Sequence, residues 1–453
     1  MAGKSSQADN RGTNFLGFLA SGKGKEFHSS RSALRQKEAN YFGDESDGAF
    51  NSSGATSLTV TNKNGSYDGD MMVRQHSSFT LNAGHNYTVD QPCRGLVILC
   101  TGDVSISGTL TMSARGAYAD TEDNSTNPNS NIPTNVPSNG LIWKFRSGGG
   151  RALSSSSTDL NGAAPPSGDI YTWLTEQNNR IDGGSGYEVR LSRQGAAGGA
   201  GAAGSPNTGR DGDAGTAGTN NESSDLYTMQ TGGGGGGGNG AWSGSVQAGD
   251  GSYGSCFGGG SGGGGVRSSN PRDGHSAGIW GGPGGPGDDG GTFNYCGGGG
   301  AGNGGGTGND NGGTASPGAD GTGGLLVIIA RGNVTVNSGG SILSAGQAGG
   351  DASGHPDSNR VETGGGGSGA GIILIAHGGT YTNNGTVTAG GGSGGTAPSN
   401  SGAAGGAGSV RAIPIGVQAR TLISPGKYQE LENMKVLEVT VTLCINFFGD
   451  VLE

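Results

Sequence analysis

Charge is scarce in this chain. Only 14% of its 453 residues are Asp, Glu, Lys or Arg. Ordinary disordered chains hold themselves open with much higher charge, so the composition excludes that class. The net charge is −10 and the pI near 5.1, which argues against a nucleic-acid-binding face. Long apolar runs are missing too. Phe15, Leu16, Phe18 and Leu19 are interrupted by Gly17 and make too short a run for a secretory signal. No run approaches the ~18 residues of a membrane-spanning helix. Synthesis in the cytoplasm is expected, without general secretory export and without membrane insertion. Cysteine is sparse and unpaired in pattern. Cys93, Cys100, Cys256, Cys296 and Cys444 are odd in number and widely spaced, with no CxxC. That argues against a disulfide framework or a zinc site, and points to reduced, buried thiols that pack as small apolar groups.

What the chain has in excess is glycine, 104 residues of it, roughly three times average usage. Glycine buries no side chain and loses the most backbone entropy on folding. A glycine-rich stretch is therefore either a linker or a region where backbone packs on backbone. Residues 195–324 carry a period that favours packing. Gly195, Gly198, Gly201 and Gly204 are three apart, as are Gly209, Gly212, Gly215 and Gly218, then Gly281, Gly284, Gly287 and Gly290, and Gly318, Gly321 and Gly324. Three residues per turn is the period of a polyproline-II-type helix. The arrays are short, mutually offset and poor in proline, whereas collagen needs long unbroken Gly-X-Y runs. Short polyglycine-II helices, packed side by side and hydrogen-bonded through their backbones, fit better.

Around this region the chain reads as all-β. Ser57–Thr61, Ser78–Asn82 and Tyr87–Val89 alternate, and Gly95–Cys100 is a continuous apolar strand. Three segments repeat: Leu96–Met112, Leu326–Ser344 and Ile372–Thr388. Each holds an apolar strand, a turn centred on Gly102, Gly332 or Gly378, an alternating strand, a second glycine-bearing turn and a short alternating strand. The second copy has about two extra residues at its second turn. Each copy then runs into glycine-rich sequence, at about 117–323, 346–371 and 390–409. Such units cannot bury an apolar face singly and stack to do so. The expected fold is a β-solenoid of rungs with polyglycine-II-type excursions that leave one side and stack there. A β-sandwich of hairpins is the alternative.

The remaining chain divides as follows. Residues 1–45 form an N-terminal arm with a short helix over Ser29–Asn40, read as an attachment segment or a tail. Residues 46–117 start the solenoid. Residues 118–194 are an insertion holding Trp143, Phe145, Tyr171 and Trp173, a small satellite cluster or a binding loop. The glycine-rich region occupies 195–324, and rungs with glycine-rich loops occupy 325–409. A C-terminal β segment fills 410–453, where Lys435–Phe448 alternates, with Leu437, Val439, Val441, Leu443, Ile445 and Phe447 on one face. That strand either makes a subunit contact or is buried in its own subunit.

Chemistry-bearing motifs dissolve on inspection. Ser261 and Ser393 satisfy GxSxG only because they stand in GGSGG, and neither joins a strand to a helix. The P-loop-like Gly17–Gly24 has Gly24 where a magnesium-ligating hydroxyl belongs. The six histidines form no HxH or HExxH. Asp68-Gly-Asp70, Asp211-Gly-Asp213 and Asp288-Asp289 are either turns or calcium oxygens, with turns favoured. No facing carboxylate pair of a glycosidase is evident. No catalytic residue, metal or cofactor is therefore expected, and the chain is read as a non-enzyme. The aromatics of the glycine region, Trp242, Tyr253, Phe257, Trp280, Phe293 and Tyr295, are the candidate receptor-binding residues. Rings at shallow sites stack on sugars or anchor protein contacts, although they would equally shield a lattice edge.

Tyr67-Asp-Gly-Asp70, Asp90-Gln-Pro-Cys-Arg-Gly95 and Gly108-Thr-Leu-Thr-Met-Ser-Ala-Arg-Gly116, followed by glycine-rich rungs, resemble virion fibre proteins of tailed bacteriophages, especially marine ones. The resemblance covers about 41–117 and 320–410. The glycine region is similar in style to the tail-tip adhesins of T-even-like phages, where polyglycine-II helices pack and present receptor-binding loops. The resemblance implies a homotrimeric tail fibre or adhesin, with other virion proteins bound through the N-terminal arm and a host-surface receptor or glycan as ligand. It also implies assembly in the host cytoplasm and release by lysis. A capsid-attached fibre or decoration protein, a β-solenoid glycan depolymerase and a bacterial surface glycine-rich protein are the alternatives.

Overall fold

The computed structural model describes residues 42–61, 67, 69–117, 169–171, 188–192, 195–202, 210–218, 220–223, 226–239, 248–265, 277, 281–287, 296–310, 313–354 and 362–414. These are rich in strand and almost devoid of helix. Three five-stranded sheets, parallel throughout, form the frame. The first sheet holds Ala49–Asn51, Ser78–Leu81, Val104–Ile106, Val334–Val336 and Tyr381–Asn383. The second holds Thr56–Leu58, Asn86–Val89, Thr109–Thr111, Ser341–Leu343 and Thr386–Thr388. In the third, Met72–His76, Leu96–Cys100, Leu325–Ala330, Ile372–His377 and Ser409–Pro414 lie side by side. Taken in chain order, the strands visit first, second and third sheet in turn, five times over. Every circuit thus lays one strand on each sheet beside its counterpart from the circuit before.

Side-chain parity explains the core. In the first and second sheets the strands alternate: Val334 and Val336 are buried around half-buried Thr335, and Leu110 is buried between half-buried Thr109 and Thr111. Inward residues of all three sheets meet in one apolar cluster that includes Phe79, Leu81, Ile98, Ile106, Leu110, Ile328, Val336, Ile342 and Ile375. Burying each such side chain contributes about 1.5–3 kcal/mol, and only stacked circuits supply enough of them. The three central strands of the third sheet have no polar face. Leu96, Ile98 and Cys100 enter the core, and Val97 and Leu99 are equally buried on the opposite side. That is why LVILC, LLVIIA and IILIA read as continuous apolar runs, whereas the other strands alternate.

The register corrects the repeat alignment in one place. Leu96 pairs with Leu326, and Leu326 pairs with Ile373 rather than Ile372. The turn equivalent to Gly102 and Gly332 is accordingly Gly379, not Gly378. An unbroken apolar strand hides its parity, and adjacent glycines hide the turn, so only the choice of inward side chain fixes the phase. The two extra residues of the second copy are present: Val334 to Ser341 is two positions longer than Val104 to Thr109. The division at 409/410 also needs correction. Ser409–Pro414 is one strand, paired with Ile372–His377, and completes the fifth circuit.

The three glycine-rich excursions all leave between a second-sheet strand and the following third-sheet strand, and they pack together. The run Gly232–Gly238 shows how. Gly232, Gly235 and Gly238 donate to Ala370, Gly367 and Gly364; Gly233 and Gly236 donate to Thr216 and Asp213; Gly234 and Gly237 donate to Ser252 and Gly249. Its carbonyls accept in the same rotation, from Gly260 and Gly263, from Gly406 and Ala403, and from Gly199 and Ala202. One segment thus bonds six neighbours drawn from all three excursions, and successive amides point in three directions. No side chain fits between them: a Cβ on Gly234 would overlap the Ser261 carbonyl. Beside this bundle, Asp169–Tyr171, Glu188–Ser192, Asn220–Ser223 and Leu226–Met229 make a four-stranded mixed sheet. It was not anticipated from the sequence, and two of its strands fall inside the glycine-rich region. It is tied to the frame where Arg411 Nε donates to Asn220 Oδ1 at 2.6 Å and Gln230 N–H donates to Ser409 Oγ at 2.9 Å.

Candidate interaction face

The direction of each bundle segment follows from where its excursion begins and ends. Residues 363–371 lead back to the strand at Ile372, and 401–408 lead back to Ser409, so both run toward the frame. Their hydrogen bonds step in parallel, with Gly364, Gly367 and Ala370 donating to Asn400, Ala403 and Gly406 in turn. The run 232–238 pairs with 364–370 in opposite order and therefore runs away from the frame. Segment 196–202 steps in parallel with 231–237, from Ala196–Thr231 to Ala202–Gly237, and also runs outward. Segment 210–218 steps in parallel with 401–407, from Gly212–Ser401 to Gly218–Ala407, and returns. The same reasoning sends 258–265, 284–287 and 304–307 outward and brings 248–254, 297–302 and 314–320 back.

One consequence is that the outward segments all end on the same side. Chain leaves the bundle there after Ala202, Asn239, Gly265, Gly287, Asp310, Gly354 and Gly395. It returns at Arg210, Ala248, Ala277, Cys296, Gly313, Glu362 and Asn400. The frame holds the near end of the bundle, and these described residues mark its far end.

Polar side chains finish the bundle where the backbone ladder stops. At the far end Asp211 Oδ1 accepts Ser401 N–H at 2.7 Å, Asp250 Oδ1 accepts Gly201 N–H at 2.7 Å and Asp351 Oδ1 accepts Thr396 N–H at 2.6 Å. Asn239 Nδ2 donates to the Ala202 carbonyl at 2.9 Å. Asp320 does the same near the frame, accepting Gly305 N–H at 2.7 Å. Each aspartate ends a bundle segment as an N-cap ends an α-helix, by offering an oxygen to a backbone amide, whereas Asn239 offers an N–H to a backbone carbonyl. The sequence signal for this was visible, an Asx beside a glycine triplet, but it reads equally as a turn. Asp211 and Asp213 are exposed. Among the described residues no group of three His, Cys, Asp or Glu side chains is placed to hold a metal ion.

Of the candidate receptor-binding aromatics, the structure describes two. Phe257 sits in the turn between Ser255 and Gly258 at the near end, and is buried at 3% exposure. That position removes its ring from any surface contact; it packs because the turn closes against Gly116 and Ala117 of the frame, with Ala117 N–H donating to the Phe257 carbonyl. Tyr253 is half-buried and lies just before the same turn. Trp242, Trp280, Phe293 and Tyr295 lie outside the described residues, as do Ser29–Asn40, Trp143, Phe145, Trp173 and Lys435–Phe448. In the chain, Trp242 falls between Asn239 and Ala248, and Phe293 and Tyr295 fall between Gly287 and Cys296.

Comparison with protein-family models, curated proteins and solved structures found no match. Ser261 is buried and its hydroxyl donates to the Gly282 carbonyl. Buried Cys93, Cys100, Cys256 and Cys296 are free thiols, and burial pushes the Cys100 thiol up to about 11. No described helix is long and apolar enough to cross a membrane.

Proposed function

We propose that this protein is a structural, non-enzymatic virion fibre of a tailed phage, a tail fibre or adhesin that meets the host surface through the far end of its glycine bundle. In this reading the frame is a β-solenoid, its excursions are polyglycine-II helices, and the fibre is a homotrimer joined to other virion proteins by residues 1–45. The observation that carries the proposal is the common far end. Six backbone-bonded neighbours leave no room for side chains around Gly232–Gly238, so large side chains are carried by the connections. Seven of them emerge together, after Ala202, Asn239, Gly265, Gly287, Asp310, Gly354 and Gly395. A backbone-bonded scaffold that carries loops at one end is the arrangement that recognition surfaces use. The residues resembling phage fibres supply the biological setting, and attachment to the capsid rather than the tail is the alternative within it.

The test is binding of labelled protein to intact host cells. Trp242→Ala, Phe293→Ala and Tyr295→Ala combined should weaken binding at least tenfold, as expected for loss of aromatic anchors. Tyr253→Ala, near the frame, should leave it unchanged. Equal loss in both variants would overturn the far-end assignment. A trimer-competent protein that binds neither cells nor virion proteins would overturn the adhesin reading.

A further inference from the structure

Asparagine followed by glycine carries a slow reaction within the chain itself. No Cβ shields the glycine nitrogen, so it can attack Cγ of the asparagine when that side chain is free to turn toward it. The structure describes the asparagine of three such pairs, Asn239, Asn303 and Asn384. Two are held away from the reaction. Asn303 is fully buried, and its Nδ2 donates to the Gly116 carbonyl at 2.8 Å. Asn239 is fully buried as well, and its Nδ2 donates to the Ala202 carbonyl at 2.9 Å. Neither amide can rotate without breaking a buried hydrogen bond.

Asn384 differs on each count. It is exposed, in the turn between Tyr381–Asn383 and Thr386–Thr388. Its side chain has no hydrogen-bond partner among the described residues. The adjoining backbone is fixed instead. Asn384 N–H donates to the Val336 carbonyl at 2.8 Å, and Thr386 N–H donates to the Gly340 carbonyl at 3.0 Å. Between them, Gly385 N–H donates to a side chain, Asn383 Oδ1, at 3.1 Å in an exposed contact. Nitrogen and amide carbon are therefore neighbours, and the bond that occupies the nitrogen is open to water.

We propose that Asn384 is a site of spontaneous covalent modification. The Gly385 nitrogen bonds to Cγ of Asn384 and gives up its proton, and the side-chain nitrogen leaves as ammonia. Water then opens the cyclic imide at either carbonyl. One opening yields aspartate. The other yields isoaspartate, whose backbone runs through the former side chain and is one carbon longer. The turn has no slack for that carbon. A Cβ on Gly385 would lie 2.2 Å from the Gly340 carbonyl oxygen, so the turn is already pressed against the circuit before it. Thr386–Thr388 pairs in register with Ser341–Leu343 and is the outermost strand of the second sheet. Isoaspartate at position 384 pushes that strand out of register and loosens this end of the frame.

The test is incubation of the full chain at mildly alkaline pH, followed by digestion and peptide mass analysis, with a synthetic peptide of residues 381–388 alongside. Asn384 should convert about tenfold faster than Asn239 or Asn303, which react only when buried structure opens. Methyl transfer by an isoaspartyl methyltransferase should mark the longer product. In the converted protein the amides of Thr386–Thr388 should exchange about tenfold faster while those of Leu96–Cys100 stay protected. Asn384→Gln, whose longer side chain closes a ring far more slowly, should show neither change. An intact Asn384 under conditions that convert the peptide would overturn the site, as would equal conversion at Asn239 or Asn303. Unaltered exchange of Thr386–Thr388 after conversion would overturn its effect on the frame.

Discussion

A missing methyl group does most of the work at the residue scale. In the bundle the neighbours of each central glycine are backbone carbonyls, which cannot swing aside as a side chain can. Gly234→Ala forces its Cβ onto the Ser261 carbonyl, and should destabilise the protein by about 3 kcal/mol, the upper range for overpacking. Gly54 has nothing within 4 Å of its would-be Cβ and no left-handed φ. Gly54→Ala should therefore gain about 0.5 kcal/mol by restricting the unfolded chain. Urea midpoints of the two variants check both signs. His76 gives a second test. It is buried among Phe50 and Phe79, with ring centroids 5.6 Å away in each case. Its Nδ1 lies 3.1 Å from the Gly48 carbonyl, which can only accept, so Nδ1 carries the proton. Nε2 is buried with no partner. Burial lowers its pKa below the ordinary 6.5, against the opposing pull of the Gly48 carbonyl and Asp47. Below pH 6.5 the unfolded state takes up the proton first, so the stability held above that pH is lost as pH falls through the folded pKa. His76→Gln should flatten that part of the urea-stability profile between pH 8 and 5.

Elements in the frame are short, mostly three to six residues, and none would stand alone. They persist through contacts between circuits. Phe50 stacks on Phe79 at 4.7 Å, and Tyr87 meets both rings edge-on at 5.1 and 5.2 Å. Burial pushes the Tyr87 hydroxyl up to about 12. Phe79→Ala should cost about 3–5 kcal/mol, read as a shift in urea midpoint, because Phe79 is fully buried and bridges the first two circuits. Turns are joined as well as strands. Asp103 Oδ1 accepts Asn333 N–H at 2.7 Å, and Asn333 Oδ1 accepts Thr380 N–H at 2.8 Å. These contacts are exposed, so Asn333→Ala should cost only about 1 kcal/mol.

For the molecule as a whole, frame and bundle depend on each other. Fixing a residue's backbone costs about 1–2 kcal/mol, and one backbone hydrogen bond returns about 0.5–1.5 kcal/mol. A glycine segment with no apolar burial therefore roughly breaks even. Its order comes from having six neighbours, several of them tethered at the near end to buried strands such as Leu325–Ala330 and Ile372–His377. The amides of Gly232–Gly238 and of Ile372–His377 should then exchange with the same opening free energy, as one cooperative unit. Independent, rapid exchange of Gly232–Gly238 would mean that the bundle is a linker after all.

Composition and period determined a good deal by themselves. The alternating strands gave the all-β class, the repeats located nine of the fifteen frame strands, and the glycine spacing of three marked residues that pack backbone to backbone. The strands before Leu96 escaped repeat matching because MVRQH at Met72–His76 matches its partner strand only at Val73 and Val97, and SFTL at Ser78–Leu81 matches its partner Val104–Ile106 at no residue. What only the tertiary structure decided is which side of each chain faces what. An unbroken apolar strand does not reveal its phase, so Ile373 rather than Ile372 had to be found by its place in the core. An Asp beside glycine reads as a turn until the amide it caps, in a segment as much as 190 residues away for Asp211 and Ser401, is seen. Glycine has no side chain to point, and the neighbours of Gly232–Gly238 are therefore fixed only by hydrogen bonds between distant stretches of backbone, which no local pattern can record.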